Sequence, residues 1–280
     1  MVKLIDYSII RRLMDNLQSI NEIQILIQQI RDKKKGFVTN FFLDNLKHSF
    51  WIRHNSFFYE CFGDCFLLIK RNESYSYLFF ISTDIYSVME SVSIFLKKEP
   101  ETYVVDLVGN EFILPLKNKF ILAGFEEYEV LYRMNRIGYP NVSFPISENI
   151  KQGELNNIKE VKELLDFYFD PLSEQIPSEE ELIHFVANKG MLLYKKDDFI
   201  CGFIIYELIG ATLYLRYWFV VPEFREMGVG AMLFNAFMHE GILSKRQMLW
   251  VISRNENAIK RYLHYGFIPE KLYDYVLIKK

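Results

Sequence analysis

The sequence predicts an α/β chain (α+β in the make-up of its sheets): two mixed-sheet domains in tandem, each a central, mostly antiparallel sheet flanked by helices. Three observations predict it. The second half alternates apolar strand runs with amphipathic helices in one definite succession, and the first half repeats that succession. In the second half, moreover, one strand runs out at Pro222 into a glycine-containing loop that opens directly into a helix, VVPEFREMGVGAMLFNAF over Val220 to Phe237. At 280 residues and 50% apolar content the chain is large enough for two cores.

In the first half, Ile20 to Ile30 has helical spacing and the polar stretch Arg31 to Lys35 ends it. Apolar runs predict strands at Phe57 to Glu60, Cys65 to Lys70 and Tyr77 to Ser82. An amphipathic helix over Val88 to Leu96, a strand over Tyr103 to Leu107, a helix near Leu114 to Leu122 and a strand over Glu127 to Met134 follow. Gly138 with Pro140 and Pro145 marks a linker from Ile137 to Pro145, which sets the expected domains at 1–137 and 138–280.

In the second half, Ile158, Val161, Leu164, Leu165 and Tyr168 share one face of a helix over Asn156 to Phe169. Ser178 with Glu181 three residues on is a capping box opening a helix through Val186. Three strands follow, Met191 to Tyr194, Phe199 to Leu208 and Thr212 to Val221, with turns at Asp197-Asp198 and Gly210. Val229, Met232, Leu233, Ala236 and Phe237 give the helix after the loop its apolar face. A strand Met248 to Ile252, a helix opened by Asn255 and a last strand Leu272 to Ile278 complete the succession.

A glycine-containing loop feeding a helix leaves backbone amides without intrahelical partners, aligned with the helix dipole, and so favours phosphate. Side chains at Gly228 and Gly230 would hold a diphosphate away from those amides. The spacing excludes a dinucleotide fingerprint, whose third glycine would fall on Leu233, and no Walker lysine follows. The pattern is R-x-x-G-x-G after V-x-P. Downstream, NENAIKRYLHYGF supplies N-x-x-A-x-x-x-Y-x-x-x-G-F through Asn255, Ala258, Tyr262, Gly266 and Phe267. In order and in supporting elements, the two segments resemble the GNAT (Gcn5-related) N-acetyltransferases over roughly residues 140 to 280.

That resemblance implies an acyltransferase that uses acetyl-CoA as co-substrate and transfers its acetyl group to the amine of a small molecule or peptide, by direct attack in a ternary complex. It implies that the backbone of Phe219, Val220 and Val221 pairs with the pantetheine arm and presents an N–H to the thioester oxygen. The amides of Glu226, Met227, Gly228, Val229 and Gly230 would hold the diphosphate, with Arg225 bracing the loop. Asn255, with Ala258 beside it, would bind the pantetheine amides, and Tyr262 would be the general acid for the departing thiolate. Plainer roles compete: a surface ion pair for Arg225, an N-cap for Asn255, a core ring for Tyr262 and a helix-terminating turn for Gly266. None of the five histidines falls on a position the motifs use.

The family often carries a glutamate on the strand before the loop. Here that strand reads Tyr214, Leu215, Arg216, Tyr217, Trp218, so Glu207 on the preceding strand is the remaining candidate base, and Arg216 suggests a carboxylated acceptor. In the first half, Gly124-Phe125 answers to Gly266-Phe267 and Phe120 to Tyr262, but Ser82-Thr83-Asp84-Ile85 replaces the whole loop. The expectation is a degenerate first copy without a cofactor site.

A net charge of −3 argues against nucleic acid. No run of 18 apolar residues occurs, and MVKLIDYSIIRRLMDN has charges where a signal peptide is apolar, so neither membrane nor export is expected and the cytoplasm is. Three cysteines fit a reducing compartment, and Cys61 with Cys65 lacks the partners of a metal site, so no metal is expected. The reading is compatible with a homodimer. Two other functions share it: transfer of an aminoacyl or longer acyl group on the same tandem scaffold, and non-catalytic acyl-CoA sensing.

Overall fold

A computed structural model describes residues 14–142 and 145–280. Residues 1–13 of the charged opening segment, and positions 143 and 144 of the expected linker, lie outside the described residues. The chain divides into two compact units: residues up to Asp106 with Asn118–Glu126 and Ile278–Lys280, and Leu107–Lys117 with Glu127–Leu277.

The first unit is built on β1 (Asp15–Asn16), α1 (Ile20–Asp32), β2 (Val38–Thr39), α2 (Asn45–Arg53), β3 (Phe57–Phe62), β4 (Cys65–Arg71), β5 (Ser76–Ser82), α3 (Ile85–Lys98), β6 (Tyr103–Gly109) and α4 (Leu114–Leu122). The strands lie in the order β1-β3-β4-β5-β6, with β2 on β5. β3, β4 and β5 run antiparallel, and the α3 crossover makes β6 parallel to β5. Every residue of β5 is buried, so the strand is a continuous apolar run rather than an alternation. α2 lacks a sequence signal because it buries only His48 and Phe50; the Asp44 side chain caps it by accepting from the Lys47 amide at 2.9 Å.

The second unit takes in the end of β6 and the start of α4, then β7 (Glu126–Ile137), β8 (Ile150–Gln152), α5 (Ile158–Tyr168), α6 (Glu179–Ala187), β9 (Met191–Lys196), β10 (Phe199–Ile209), β11 (Thr212–Val220), α7 (Val229–Glu240), β12 (Arg246–Ile252), α8 (Glu256–His264) and most of β13 (Ile268–Lys279). Its strand order is β13-β7-β12-β11-β10-β9-β8. β8 to β11 pair antiparallel, β11 and β12 parallel, and β12 and β7 antiparallel from Arg246↔Ile137 to Ile252↔Leu131. The boundary expected at 137/138 thus falls at the end of a strand whose partner is β12.

Period-2 alternation divides β10 between two cores. Ile204 and Tyr206 pack with Leu233, Phe234 and Phe237 of α7, whereas Phe203 and Ile205 pack with Val161, Leu165, Leu182 and Phe185 of α5 and α6. The expected capping box is present: the Glu181 amide donates to Ser178 Oγ at 3.2 Å, and the Ser178 amide to Glu181 Oε2 at 2.9 Å. Among the described residues no helix is long and apolar enough to cross a membrane.

The two halves end a helix in the same way. The Gly124 amide donates to Ile121 O and Phe125 to Phe120 O; the Gly266 amide donates to Leu263 O and Phe267 to Tyr262 O, all between 2.9 and 3.1 Å. Both glycines have positive φ, +90° and +82°, which this reversal requires. Each half also has a parallel strand pair around a crossover helix, but the helix starts differ. Asp84 caps α3, accepting from the Ser87 amide at 2.9 Å, so a carboxylate already occupies that N-terminus.

Candidate active site

β11 and β12 pair only from Thr212↔Arg246 to Leu215↔Leu249 and then separate. The cause lies on the other edge of β11. Ile205 faces Tyr217 while Tyr206 faces Leu215, so Arg216 is an extra residue in a β-bulge. A bulge bends its strand and increases its twist. β12 stays in register with β7 and does not follow. The result is a cleft of about 470 Å³ between the two strands, floored by Trp218, Phe219 and Val220 of β11 and Trp250 and Val251 of β12.

Backbone polarity in the cleft follows from the register. The Val221 amide donates to Cys201 O at 2.9 Å, and the Phe203↔Phe219 pair continues that phase, so the main chain of Phe219 and Val221 faces β10. This corrects the expectation that three consecutive residues offer backbone contacts: only Val220 turns its N–H and C=O to the gap. Its carbonyl accepts from Arg225 Nε at 3.2 Å, which is how Arg225 braces the loop. Trp218, also lining the cleft, keeps its Nε1 N–H buried without a partner, a donor that a ligand oxygen would satisfy.

The loop itself is not open coil. Pro222–Met227 forms 3₁₀ turns, and Gly228, at φ +75°, swings the chain into α7. Gly228 is the N-cap and has no side chain to occupy the first-turn amides, so the helix start is free to receive an anion. Glu226, Met227 and Gly228 are exposed, whereas the Val229 side chain belongs to the core. A Cβ on Gly230 would lie 3.3 Å from Trp218 Cζ2 and 3.8 Å from Arg261 Nη1, so this glycine also lets α7 approach the cleft floor. Of the expected site residues, Phe219, Val220, Arg225, Asn255, Ala258 and Tyr262 line the cleft; Val221 and Glu226 to Gly230 do not.

Asn255 caps α8, its Oδ1 accepting from the Ala258 amide at 3.1 Å, which leaves the amide NH₂ as the group able to meet a ligand. Tyr262 is buried against Trp218 and Phe267, with ring centroids 5.8 and 5.9 Å away. Burial raises the pKa of its hydroxyl well above the ordinary value, so the group holds its proton at neutral pH, as an acid must. Both plainer roles, cap and core ring, are therefore real and coexist with a place in the cleft.

Glu207 does not reach the cleft lining; it pairs with Arg216 at 3.4 Å. Arg216 also lies over the Tyr214 ring at 4.7 Å, so its charge is matched within the protein, and the case for a carboxylated acceptor weakens. The sequence reading missed Glu174, which lines the cleft. Its carboxyl is raised to about 7: burial is the main cause, the charges of Asp170 and Glu129 add to it, and a bond from the Asp170 amide opposes. No motif marks Glu174. It enters the cleft because the segment between α5 and α6 folds across β11, where the Tyr217 hydroxyl donates to Glu174 O at 3.0 Å.

The Acetyltransferase (GNAT) family profile matches residues 158–267, from the first residue of α5 to Phe267. No curated protein matches the sequence. Among solved structures, the chain is similar to a GCN5-related N-acetyltransferase from Sphaerobacter thermophilus, with a TM-score of 0.55 and 13% identity over 77% of this chain and 76% of that one. A GNAT-family acetyltransferase from Colwellia psychrerythraea gives 0.54 and 11% over 95% and 98%. A tandem GNAT protein from the clavulanic acid biosynthesis pathway gives 0.54 and 11% over 77% and 78%. At these identities the likeness is one of fold. The family match, the glycine-led helix start and the parted strands coincide on one stretch of sequence, and over residues 158–267 that stretch matches the GNAT acetyltransferase family.

Proposed function

We propose that the protein is an acetyl-CoA-dependent N-acetyltransferase acting on the amine of a small molecule or peptide in a ternary complex. The observation that carries this reading is the separation of β11 from β12, which opens unpaired backbone beside a buried, protonated tyrosine. The Val220 N–H is the donor for the thioester oxygen, and one such donor contributes roughly 3 kcal/mol to an oxyanion-like transition state. The first-turn amides of α7, at Val229 and Gly230, take the diphosphate. The Asn255 NH₂ meets the pantetheine arm, and Tyr262 protonates the leaving thiolate.

The first unit is in this reading a degenerate copy of the same fold. The matching helix ends at Gly124 and Gly266 support it, and the Asp84 carboxylate on α3 accounts for a lost anion site. The three free thiols, Cys61, Cys65 and Cys201, suit the reducing cytoplasm where acyl-CoA is formed. Calorimetry with acetyl-CoA and thiol release with a panel of primary amines test the assignment. Binding with amine-dependent release supports it. Binding without release from any amine favours a sensor, and release only with longer acyl-CoA favours a different acyl donor.

A further inference from the structure

Glu174 is the sole carboxylate lining the cleft among the described residues, and it is held there by a local frame. Its Oε2 accepts from the Asp170 amide at 2.9 Å, and its own amide donates to Asp170 O at 3.0 Å. Ser173 Oγ donates to Asp170 Oδ2 at 2.7 Å, and Tyr217 fixes the Glu174 carbonyl from β11. A solvated surface glutamate has no such frame. Around it stand Asp170 from its own segment and Glu129 from β7, the latter ion-paired with Arg254 at 2.6 Å. Tyr217 of β11 and Tyr262 of α8 face it electrostatically, and Arg216, Arg225 and Arg261 line the same cleft.

We propose that Glu174 is the general base of the transfer, taking a proton from a primary alkylammonium acceptor held in the cleft that its carboxylate lines. The proposal rests on the acyl-CoA reading above. R–NH₃⁺ gives one proton to the Glu174 carboxylate. The nitrogen lone pair forms a bond to the thioester carbonyl carbon, the C–S bond breaks, and the electron pair leaves with sulfur. The thiolate takes the Tyr262 proton, and a second nitrogen proton, lost as the amide forms, restores Tyr262. Glu174 returns its proton to solvent, so one turnover yields amide, free thiol and one H⁺. A carboxyl near 7 is poised to accept and release that proton at the working pH.

The test compares the wild type with Glu174→Gln, which keeps an oxygen for the Asp170 amide. Thiol release from acetyl-CoA is followed against pH with two probe classes: alkylamines (spermidine, phenethylamine, a lysine peptide) and an aniline, whose nitrogen is already neutral at pH 7. The expected result is a roughly 10²- to 10³-fold fall in kcat/KM for the alkylamine at pH 7. The loss shrinks at higher pH, the aniline rate stays within about threefold, and acetyl-CoA affinity is unchanged. The acidic limb of the wild-type profile, with its midpoint near 7, disappears. Equal losses on both amine classes, or an unaltered pH profile, overturn the assignment and leave Glu174 a structural brace. Carbon NMR of the glutamate carboxyls reads the same group without turnover: a Glu174 midpoint in the ordinary carboxylate range also overturns it. A wild type that neither binds acetyl-CoA nor releases thiol brings down the acyl-CoA reading and this one together.

Discussion

Replacing Glu174 by Gln should stabilise the second unit above neutral pH. A carboxyl raised from its usual 4.5 to about 7 binds more protons in the folded chain than in the unfolded one across that window. Stability therefore falls as pH rises through the window, and the full penalty is present above 7. At about 1.4 kcal/mol per tenfold change in acidity the penalty is about 3 kcal/mol, and partial contact with solvent brings it to about 2 kcal/mol. Glutamine carries no charge and escapes it. Urea unfolding followed by tryptophan fluorescence measures the difference, in a Trp51→Phe background so that Trp218 and Trp250 report the second unit alone. With an urea slope of roughly 2 kcal/mol per molar, the variant should unfold about 1 M higher at pH 8.5 and nearly with the wild type at pH 4.5. Equal midpoints at pH 8.5, or the same gain at both pH values, would refute the argument. A site that costs stability to keep a base near neutrality trades one for the other.

Tyr262→Phe keeps the ring packed on Trp218 and Phe267 and removes the hydroxyl; kcat should fall about 10²-fold with acetyl-CoA affinity within twofold, and wild-type turnover would leave Tyr262 a packing residue. No atom lies within 4 Å of a Cβ at Gly228, but its φ of +75° strains a branched side chain by roughly 1–3 kcal/mol, so Gly228→Asn is the cleaner probe. Calorimetry should show acetyl-CoA binding at least tenfold weaker in a fully folded Asn variant; unchanged affinity would remove the loop from the diphosphate site. Arg254→Ala leaves the Glu129 side chain, 5% exposed, without its ion-pair partner. Urea unfolding at pH 8 should show a loss of about 1–2 kcal/mol, reduced from a fully buried pair because Arg254 itself is largely exposed.

What the sequence disclosed was what local chemistry determines. Ser178 with Glu181, Asn255 at the head of α8 and Gly266 at its end each act through neighbours three to five residues away, and each stands where its spacing places it. The apolar periodicities of α1, α5 and β10 locate those elements within a few residues. What stayed hidden depends on partners far along the chain. The bulge at Arg216 exists only relative to β10, and it decides that Val220 faces the gap while Phe219 and Val221 do not. Glu207 and Arg216 meet across two strands, which weakens the candidate base that the preceding strand offered. Glu174 reads as an unremarked acid between Ser173 and Gln175 until Tyr217 and Asp170 fix it over the cleft. β8, at three residues, is too short to announce itself at all.

The pairing of β7 with β12 has a consequence for how the protein is made. Ile137 bonds opposite Arg246 and Leu131 opposite Ile252, so more than a hundred residues separate a strand from its neighbour. At roughly 5–20 residues per second of synthesis, β7 waits on the order of 5–20 s after leaving the ribosome before its partner exists. Through that interval it presents an unpaired edge carrying Val130, Leu131, Tyr132 and Met134, the kind of surface on which nascent chains associate. Charged residues punctuate the strand at Glu129, Arg133 and Arg136, and they discourage such pairing until β12 arrives. A shortened chain starting at residue 138 would never supply β7, and its β12 would keep a bare edge for good.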